Sequence, residues 1–383
     1  MKELSSIQDA FILFDKQIID FGPMTYCPEN ADTIIDATGK YVLPAWCDSH
    51  THIVFAGSRE KEFRMRLQGH TYEEIAANGG GILNSADRLQ KTPHEILLES
   101  ALQRLQEVSK TGTGAIEIKS GYGLTTESEI KILRVIRDLK NLSPVLIEST
   151  FLGAHAIPAA FKDNRRGYID QIIYDMLPLI AEEQLADYID VFCDTGFFTP
   201  QETDQILEAG SKYGLKPKIH ANELAISGGV QAGIRNHAVS VDHLERIGDE
   251  EIAALRKSDT IPTLLPNVSF FLNIPYAPAR KMIDAGLGIA LASDYNPGSS
   301  PSGNIPLLLS IACHQMKLWP EEALNAVTIN GACAMESQQI TGSITKGKVA
   351  NLILTDPIPD LSYMIYAFGK THIDKVWISG QSV

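Results

Sequence analysis

Positive charge is what this chain has least of. Its 33 lysines and arginines stand against 47 aspartates and glutamates, a formal net charge of -14. No basic excess meets phosphates, which argues against nucleic acid as a partner. An anionic small substrate would need a local cationic clamp working against the overall field. Cysteine is scarce as well. The five (Cys27, Cys47, Cys193, Cys313, Cys333) are odd in number, widely spread and form no C-x-x-C. Free thiols in a reducing compartment fit that usage better than a disulfide framework. The start, MKELSSIQDAFILFDKQIIDFG, has no apolar run followed by a small-residue cleavage site, so no signal peptide is expected. The longest apolar stretches, such as residues 305–313, are too short to span a bilayer. The expected location is the cytoplasm.

Also missing are internal repeats, low-complexity segments and a G-x-G-x-x-G after the first strand candidate. Gly79-Gly80-Gly81 follows a helical segment instead and reads as a flexible loop rather than a phosphate cradle.

What remains is ordinary globular sequence, with 44% hydrophobic residues in a length that suits a large core. Both ends look β-rich. Strand candidates at 10–14, 17–21 and 33–36 are broken by Asp15-Lys16, Gly22-Pro23 and Gly39, and others follow at 350–354 and 375–378. We expect one small β domain built from residues 1–40 and 343–383. Between them, apolar strand candidates at 41–45, 115–118, 145–149, 189–192, 217–219, 238–241, 261–265 and 288–292 alternate with helical patterns such as 127–139, 201–209 and 250–255. Eight strands alternating with helices predict a (β/α)8 barrel over residues 41–342. A doubly wound open sheet is the main alternative.

A barrel of this kind collects its active site at the C-terminal strand ends. Polar residues crowd there: Asp48-Ser49-His50-Thr51-His52, Lys119-Ser120-Gly121-Tyr122, Ala154-His155, His220-Ala221-Asn222-Glu223, Asp242-His243 and Ser293-Asp294-Tyr295-Asn296. His50 and His52 are two apart, so along a strand both imidazoles share one face. A bare H-x-H is more often a pair of surface histidines near a turn. His220 and Asp294 change the odds, because three imidazoles and one carboxylate suit a mononuclear Zn²⁺ or Fe²⁺ site with an open position. Asp294 can serve as ligand, as proton acceptor, or as both, and a lone strand-end Asp can equally be a loop cap. Glu223 can shuttle protons if burial raises its pKa. His243 can polarise the group under attack. Each also has a plainer reading, as a solvent-facing glutamate or a satisfied buried histidine. Arg59 is either a fork for a substrate carboxylate or one more exposed arginine in the run Arg59-Glu60-Lys61.

The stretches HTHIVFAGSREKEF, KSGYGL, TFLGAHAIP, KIHANE, VDHLE and SDYNPGSSP, in this order, resemble the imidazolonepropionases. These are metal-dependent amidohydrolases of histidine degradation that hydrolyse 4-imidazolone-5-propanoate to N-formimidoyl-L-glutamate. The resemblance implies a barrel beside a β-sandwich, one Zn²⁺ or Fe²⁺/Fe³⁺ ion and a homodimer. It implies His50, His52, His220 and Asp294 as metal ligands, with Glu223 and His243 as the catalytic pair beside Asp294. Arg59, Tyr122, His155, Glu223, Asn296, Gly298 and Ser299 match substrate-contacting positions. Two departures stand out. The chain begins late relative to the family, as though lacking the first strand or two of the sandwich. Asn351 stands where the superfamily usually has Asp in an A-D-L pattern. Two competing readings are a deaminase of a related heterocycle on the same metal site, and a non-catalytic relative.

Overall fold

The computed structural model describes residues 1, 3–70, 74 and 80–383. Of the glycine run, Gly79 lies outside the described residues. The strands, in chain order, are β1 (Ala10–Phe14), β2 (Ile18–Pro23), β3 (Val42–Pro44), β4 (Trp46–Thr51), β5 (Thr113–Lys119), β6 (Leu146–Ala154) and β7 (Tyr188–Cys193). They continue with β8 (Lys216–Ala221), β9 (Ser240–His243), β10 (Ile261–Leu264), β11 (Ala290–Leu291), β12 (Leu352–Thr355), β13 (Ile373–Ile378) and β14 (Gln381–Ser382).

Strands β4 to β11 lie side by side in sequence order as one parallel sheet. Its two edges meet. Thr51 bridges Tyr295 in the parallel sense, while Asp294 N donates to His50 O and His52 N to Tyr295 O, both at 2.9 Å. The result is the expected (β/α)8 barrel with helices outside. Both faces of these strands are buried, so their outward residues are apolar: Ile116 and Ile118 on β5, Ile189 and Val191 on β7, Ile219 on β8. The helices follow local signals. Pro200–Lys212 opens with a capping box, Thr199 Oγ1 accepting from Glu202 N at 3.2 Å and Glu202 Oε2 accepting from Thr199 N at 2.8 Å. Such a cap contributes about 1 kcal/mol. Thr126–Leu142 buries Ile132, Leu133, Val135, Ile136 and Leu139 toward the barrel.

The ends of the chain form an antiparallel β1–β2 pair and a four-stranded sheet ordered β14-β13-β12-β3. They share a core of Ile18, Ala350, Leu352, Leu354 and Trp377 with Ile12 and Phe14 packed on it, an arrangement compatible with a small β-sandwich. Two expected strands differ. Residues 33–36 form no strand and stay largely exposed. Residues 41–45 are not the first barrel strand, because Val42–Pro44 pairs with Leu352–Thr355 in the small sheet. The barrel strand is the polar-looking Trp46–Thr51, every residue of it buried. Asp48 and Thr51 have partners inside: Ser293 N and Oγ donate to Asp48 at 2.9 and 2.6 Å, and Thr51 Oγ1 donates to Glu117 O at 2.6 Å.

Asn351 joins the two units. Its Nδ2 donates to Gly114 O on β5 at 3.0 Å while its Oδ1 accepts from Ser379 N at 2.8 Å. An amide does both; a carboxylate cannot donate to Gly114 O. Asn351→Asp is therefore expected to cost about 1–3 kcal/mol, measured by urea unfolding. An unchanged midpoint would show that this amide is not what binds the sheet to the barrel.

Candidate active site

His50, His52, His220 and Asp294 converge at the C-terminal mouth, and all four are at least 97% buried. Asp294 Oδ1 lies 3.4 Å from His50 Nε2 and 3.5 Å from His52 Nε2, and the Nε2 atoms of His52 and His220 are 3.4 Å apart. Donors about 2.0–2.1 Å from a tetrahedral ion sit roughly 3.3 Å from one another. The other ring nitrogens face outward to acceptors. His50 Nδ1 is 2.6 Å from Asp242 Oδ2 and His52 Nδ1 is 3.2 Å from Ser120 O. His220 Nδ1 is 3.0 Å from Asp190 Oδ2, off the ideal N–H direction. That arrangement puts the proton on Nδ1 and leaves each Nε2 lone pair aimed inward. Burial first, with Lys119 and the crowding of neighbouring imidazoles adding to it, holds His50 and His52 far below the usual imidazole range, hence neutral. His50 Nε2 is buried with no hydrogen-bond partner. Neutral imidazoles with an orphaned inward nitrogen beside a carboxylate fit a divalent metal ion.

Beneath the four lies a layer of buried charge: Glu117 and Lys119 on β5, Asp190 on β7, Lys218 on β8 and Asp242 on β9. Lys119 Nζ donates to Glu117 Oε1 at 2.6 Å and to Asp190 Oδ2 at 2.8 Å, and Lys218 pairs with Glu117 Oε2. Burial alone would strip the proton from Lys119, but the surrounding carboxylates outweigh it and hold its pKa above the usual lysine range. Reading strand ends places Lys119 and Asp242 near the mouth but gives them no role, and it does not pick out Asp190 or Lys218. The layer's signal is there nonetheless, as charged residues at i, i+2 inside apolar strands: Glu117-x-Lys119 and Lys218-x-His220.

Alternation along β9 would turn His243 away from the face of Asp242, but its φ of 84° redirects the chain there. The ring lies 5.6 Å from that of His50 and 5.3 Å from that of His220, between centroids. Its Nδ1 is 3.7 Å from Glu223 Oε2 and 3.6 Å from Glu245 Oε2. Burial would lower its pKa; the two carboxylates overcome that and push it up to about 10, so it is an imidazolium. Glu223 is the reverse case. Burial raises its pKa to about 7, with Glu245 and Asp294 adding and His243 opposing. The loop that carries Glu223 is pinned by Asp194, whose Oδ2 accepts from Glu223 N and Leu224 N, each at 2.9 Å. Asp194 and Glu245 are further residues that strand-end reading does not assign.

Asn296 and Ser299 fasten Asp294. Asn296 Nδ2 donates to Asp294 Oδ2 at 2.8 Å and Ser299 Oγ to the same oxygen at 3.2 Å, leaving Oδ1 toward the imidazoles. A Cβ at Gly298 would meet the Arg59 guanidinium, so the guanidinium lies directly against this glycine. Arg59 thus reaches the β11 loop, but not alone: its Nε and Nη2 donate to Glu62 at 2.8 and 2.5 Å. Burial pushes the Tyr122 phenol up, with Arg59 opposing and Asp294, Glu223 and Glu62 adding. His155 stacks on His52 at 5.5 Å and is edge-on to Tyr122 at 5.4 Å. Burial lowers it to about 3, so the ring is neutral; its Nδ1 donates to Gly121 O at 2.9 Å and its Nε2 is left to accept. Glu129 holds this loop by accepting from Gly121 N, Gly123 N and Leu124 N at 2.7–2.9 Å.

Comparison with known proteins agrees with this geometry. The family model described as "Amidohydrolase family" matches residues 41–383. An imidazolonepropionase of Flavobacterium johnsoniae is 56% identical over 385 residues, covering 100% of this chain and 94% of that protein. Among solved structures, a 5-methylcytosine deaminase from Klebsiella pneumoniae gives a TM-score of 0.77 at 16% identity, over 98% of this chain and 94% of its own. An adenosine deaminase from Xanthomonas campestris, with bound zinc, gives 0.70 at 15% identity, over 98% and 88%. At such identity these last two are likenesses of fold.

Proposed function

Because the chain belongs to the amidohydrolase family and, within it, to the imidazolonepropionases, we propose that it hydrolyses the cyclic amide of 4-imidazolone-5-propanoate to N-formimidoyl-L-glutamate. This is a step of L-histidine degradation. The observation that carries the proposal is the inward set of three Nε2 atoms and Asp294 Oδ1 at 3.4–3.5 Å. His50, His52, His220 and Asp294 hold one Zn²⁺ or Fe²⁺/Fe³⁺ ion, both of which suit imidazole and carboxylate donors. When bound, the ion supplies Lewis acidity and lowers the pKa of a coordinated water.

The chain's own residues do the rest. Asn296 and Ser299 keep Asp294 turned so that Oδ1 faces the centre and can accept a proton. Glu223, near half-protonated at neutrality, takes the proton of the attacking water. It returns that proton to the ring nitrogen as the C–O bond forms and the C–N bond breaks. The His243 imidazolium steadies the charge that builds on the carbonyl oxygen. His155 and Tyr122 hold the ring, with the Gly298 backbone beside them, and Arg59 meets the propionate. The Glu62 carboxylate fixes the Arg59 fork before substrate arrives.

The enzyme acts on a small molecule, and among the described residues no helix is long and apolar enough to cross a membrane. The finer reading is a cytoplasmic homodimer, supported by five unpaired cysteines for the compartment and by family resemblance for the dimer. The domain division that goes with it is a terminal β unit of residues 1–40 and 343–383 and a catalytic barrel over 41–342. Val42–Pro44, inside the second range, pairs with the terminal sheet rather than with the barrel. Turnover of 4-imidazolone-5-propanoate after reconstitution with zinc or iron tests the function; a fully metallated protein without turnover would refute it.

Arg59 decides the substrate class. Arg59→Met is expected to raise KM for the propionate-bearing substrate, by about 2–5 kcal/mol for one partner of a desolvated charge pair. A ring analogue lacking the carboxylate is expected to bind poorly to the unaltered enzyme and to be nearly indifferent to the substitution. Equal weakening of both compounds would make Arg59 structural and favour a deaminase of an uncharged heterocycle.

A further inference from the structure

The charge layer beneath the ligands has no part in the chemistry assigned above. Lys119 is its hub. Its side chain is wholly buried, with Nζ 2.6 Å from Glu117 Oε1, 2.8 Å from Asp190 Oδ2 and 3.5 Å from Asp242 Oδ2. Which oxygens it touches is the informative part. Asp190 Oδ2 is the atom 3.0 Å from His220 Nδ1, and Asp242 Oδ2 is the atom 2.6 Å from His50 Nδ1. Two imidazoles on separate strands therefore rest, through one shared oxygen each, on a single ammonium group. The third, His52, rests on a backbone carbonyl and is independent of it.

We propose that Lys119 is a positioning residue for the metal, holding Asp190 and Asp242 so that His220 and His50 present Nε2 to the ion. The inference rests on the ligand set proposed above. A buried carboxylate with no cation beside it has no charge partner to fix its orientation. The ammonium is that partner for both, holding Asp190 Oδ2 and Asp242 Oδ2 against the Nδ1 atoms of His220 and His50. Partners that orient metal-bound histidines in this way typically govern affinity by about 10–100-fold.

Removing Lys119 alone would leave Glu117, Asp190 and Asp242 buried against Lys218 only, a strongly destabilising change. The informative variant is Lys119→Met/Glu117→Gln, which removes one charge of each sign. Its reference is Glu117→Gln, where Lys119 still holds both aspartates. Zinc affinity is measured by chelator competition on folded protein, and the visible spectrum of the cobalt-substituted form reports ligand geometry. We expect Glu117→Gln to bind zinc much as the unaltered protein does. The double variant should bind about 10–100-fold more weakly, with a shifted cobalt spectrum. Lys119→Gln/Glu117→Gln, equally charge-matched but with a neutral donor at position 119, is the second variant and should move in the same direction. If either Lys119 variant folds and matches Glu117→Gln in both readouts, Lys119 is structural only. His52→Ala is the control for the ligand set. Should it bind zinc as tightly as the unaltered protein, the ligand assignment itself is at fault rather than the role of Lys119.

Discussion

His52→Ala is expected to lose its bound metal and all measurable hydrolysis while the barrel remains folded. His52 Nε2 lies 3.5 Å from Asp294 Oδ1 and 3.4 Å from His220 Nε2, between the two other donors. Without it the close group formed by His50, His52 and Asp294 is dismantled and one of the four donors is gone. The methyl left behind also opens a space beside His155, which stacks on the His52 ring. Folding does not depend on the ion here. A continuous apolar core runs through the barrel helices and outward strand faces, unlike a zinc finger, whose folding energy is the metal itself. Metal analysis, circular dichroism and thermal melts together make the check. The unaltered protein should gain stability on metal addition, about 2.7 kcal/mol at a free metal concentration 100 times Kd, and the variant should gain none. One full equivalent of metal at unaltered affinity in His52→Ala would sink the ligand assignment.

How far the site was legible in the sequence differs between its layers, for a physical reason. His50, His52, His220 and Asp294 stand where apolar runs break into polar sequence, so strand alternation and barrel topology pick them out together. Lys119, Asp190 and Asp242 sit one step deeper, inside strands whose other face is apolar. A charged residue in such a strand gives no local hint of its partner, because Lys119 and Asp190 are 71 positions apart and meet only when the barrel closes. Arg59 was half legible. Its placement near the site followed from its nearness to His52, but the Glu62 carboxylate on its fork is a side-chain packing result. The shift from residues 41–45 to Trp46–Thr51 as the first barrel strand has a similar origin. An apolar run is the common mark of a buried strand, yet here the apolar run serves the small sheet. The barrel strand can be polar because its partners lie inside the barrel. Alternation of strands and helices across the middle of the chain survived this shift, since seven of the eight candidates overlap strands of the barrel sheet.

Glu223→Gln is expected to separate chemistry from binding. The substitution keeps shape and one acceptor oxygen but cannot carry a proton. Two features fit Glu223 for proton transfer. Its backbone is held by Asp194 through bonds of 2.9 Å from Glu223 N and Leu224 N, so the carboxyl is aimed rather than loose. Its pKa is pushed up to about 7, first by burial and then by Glu245 and Asp294 against the opposing His243. An acid raised to that value is protonated below it and ionised above it. A step in which Glu223 accepts a proton therefore speeds up as pH rises through about 7, and at that pKa both the accepting and the donating form are populated near neutrality, so the same group can pass the proton on to the leaving nitrogen. General acid–base groups of this kind are worth about 10²–10⁴ in rate. Turnover of Glu223→Gln should fall by that factor with metal content intact, KM should change little, and the contribution of Glu223 to the acidic limb of the profile should vanish. His243 offers the internal contrast. Substituting it should depress turnover without removing that limb, because an imidazolium held up to about 10 does not titrate there. Near-normal turnover in fully metallated Glu223→Gln would take Glu223 out of the mechanism. Asp294, whose Oδ1 faces the imidazoles, would then be the remaining carboxylate able to accept the proton of the attacking water.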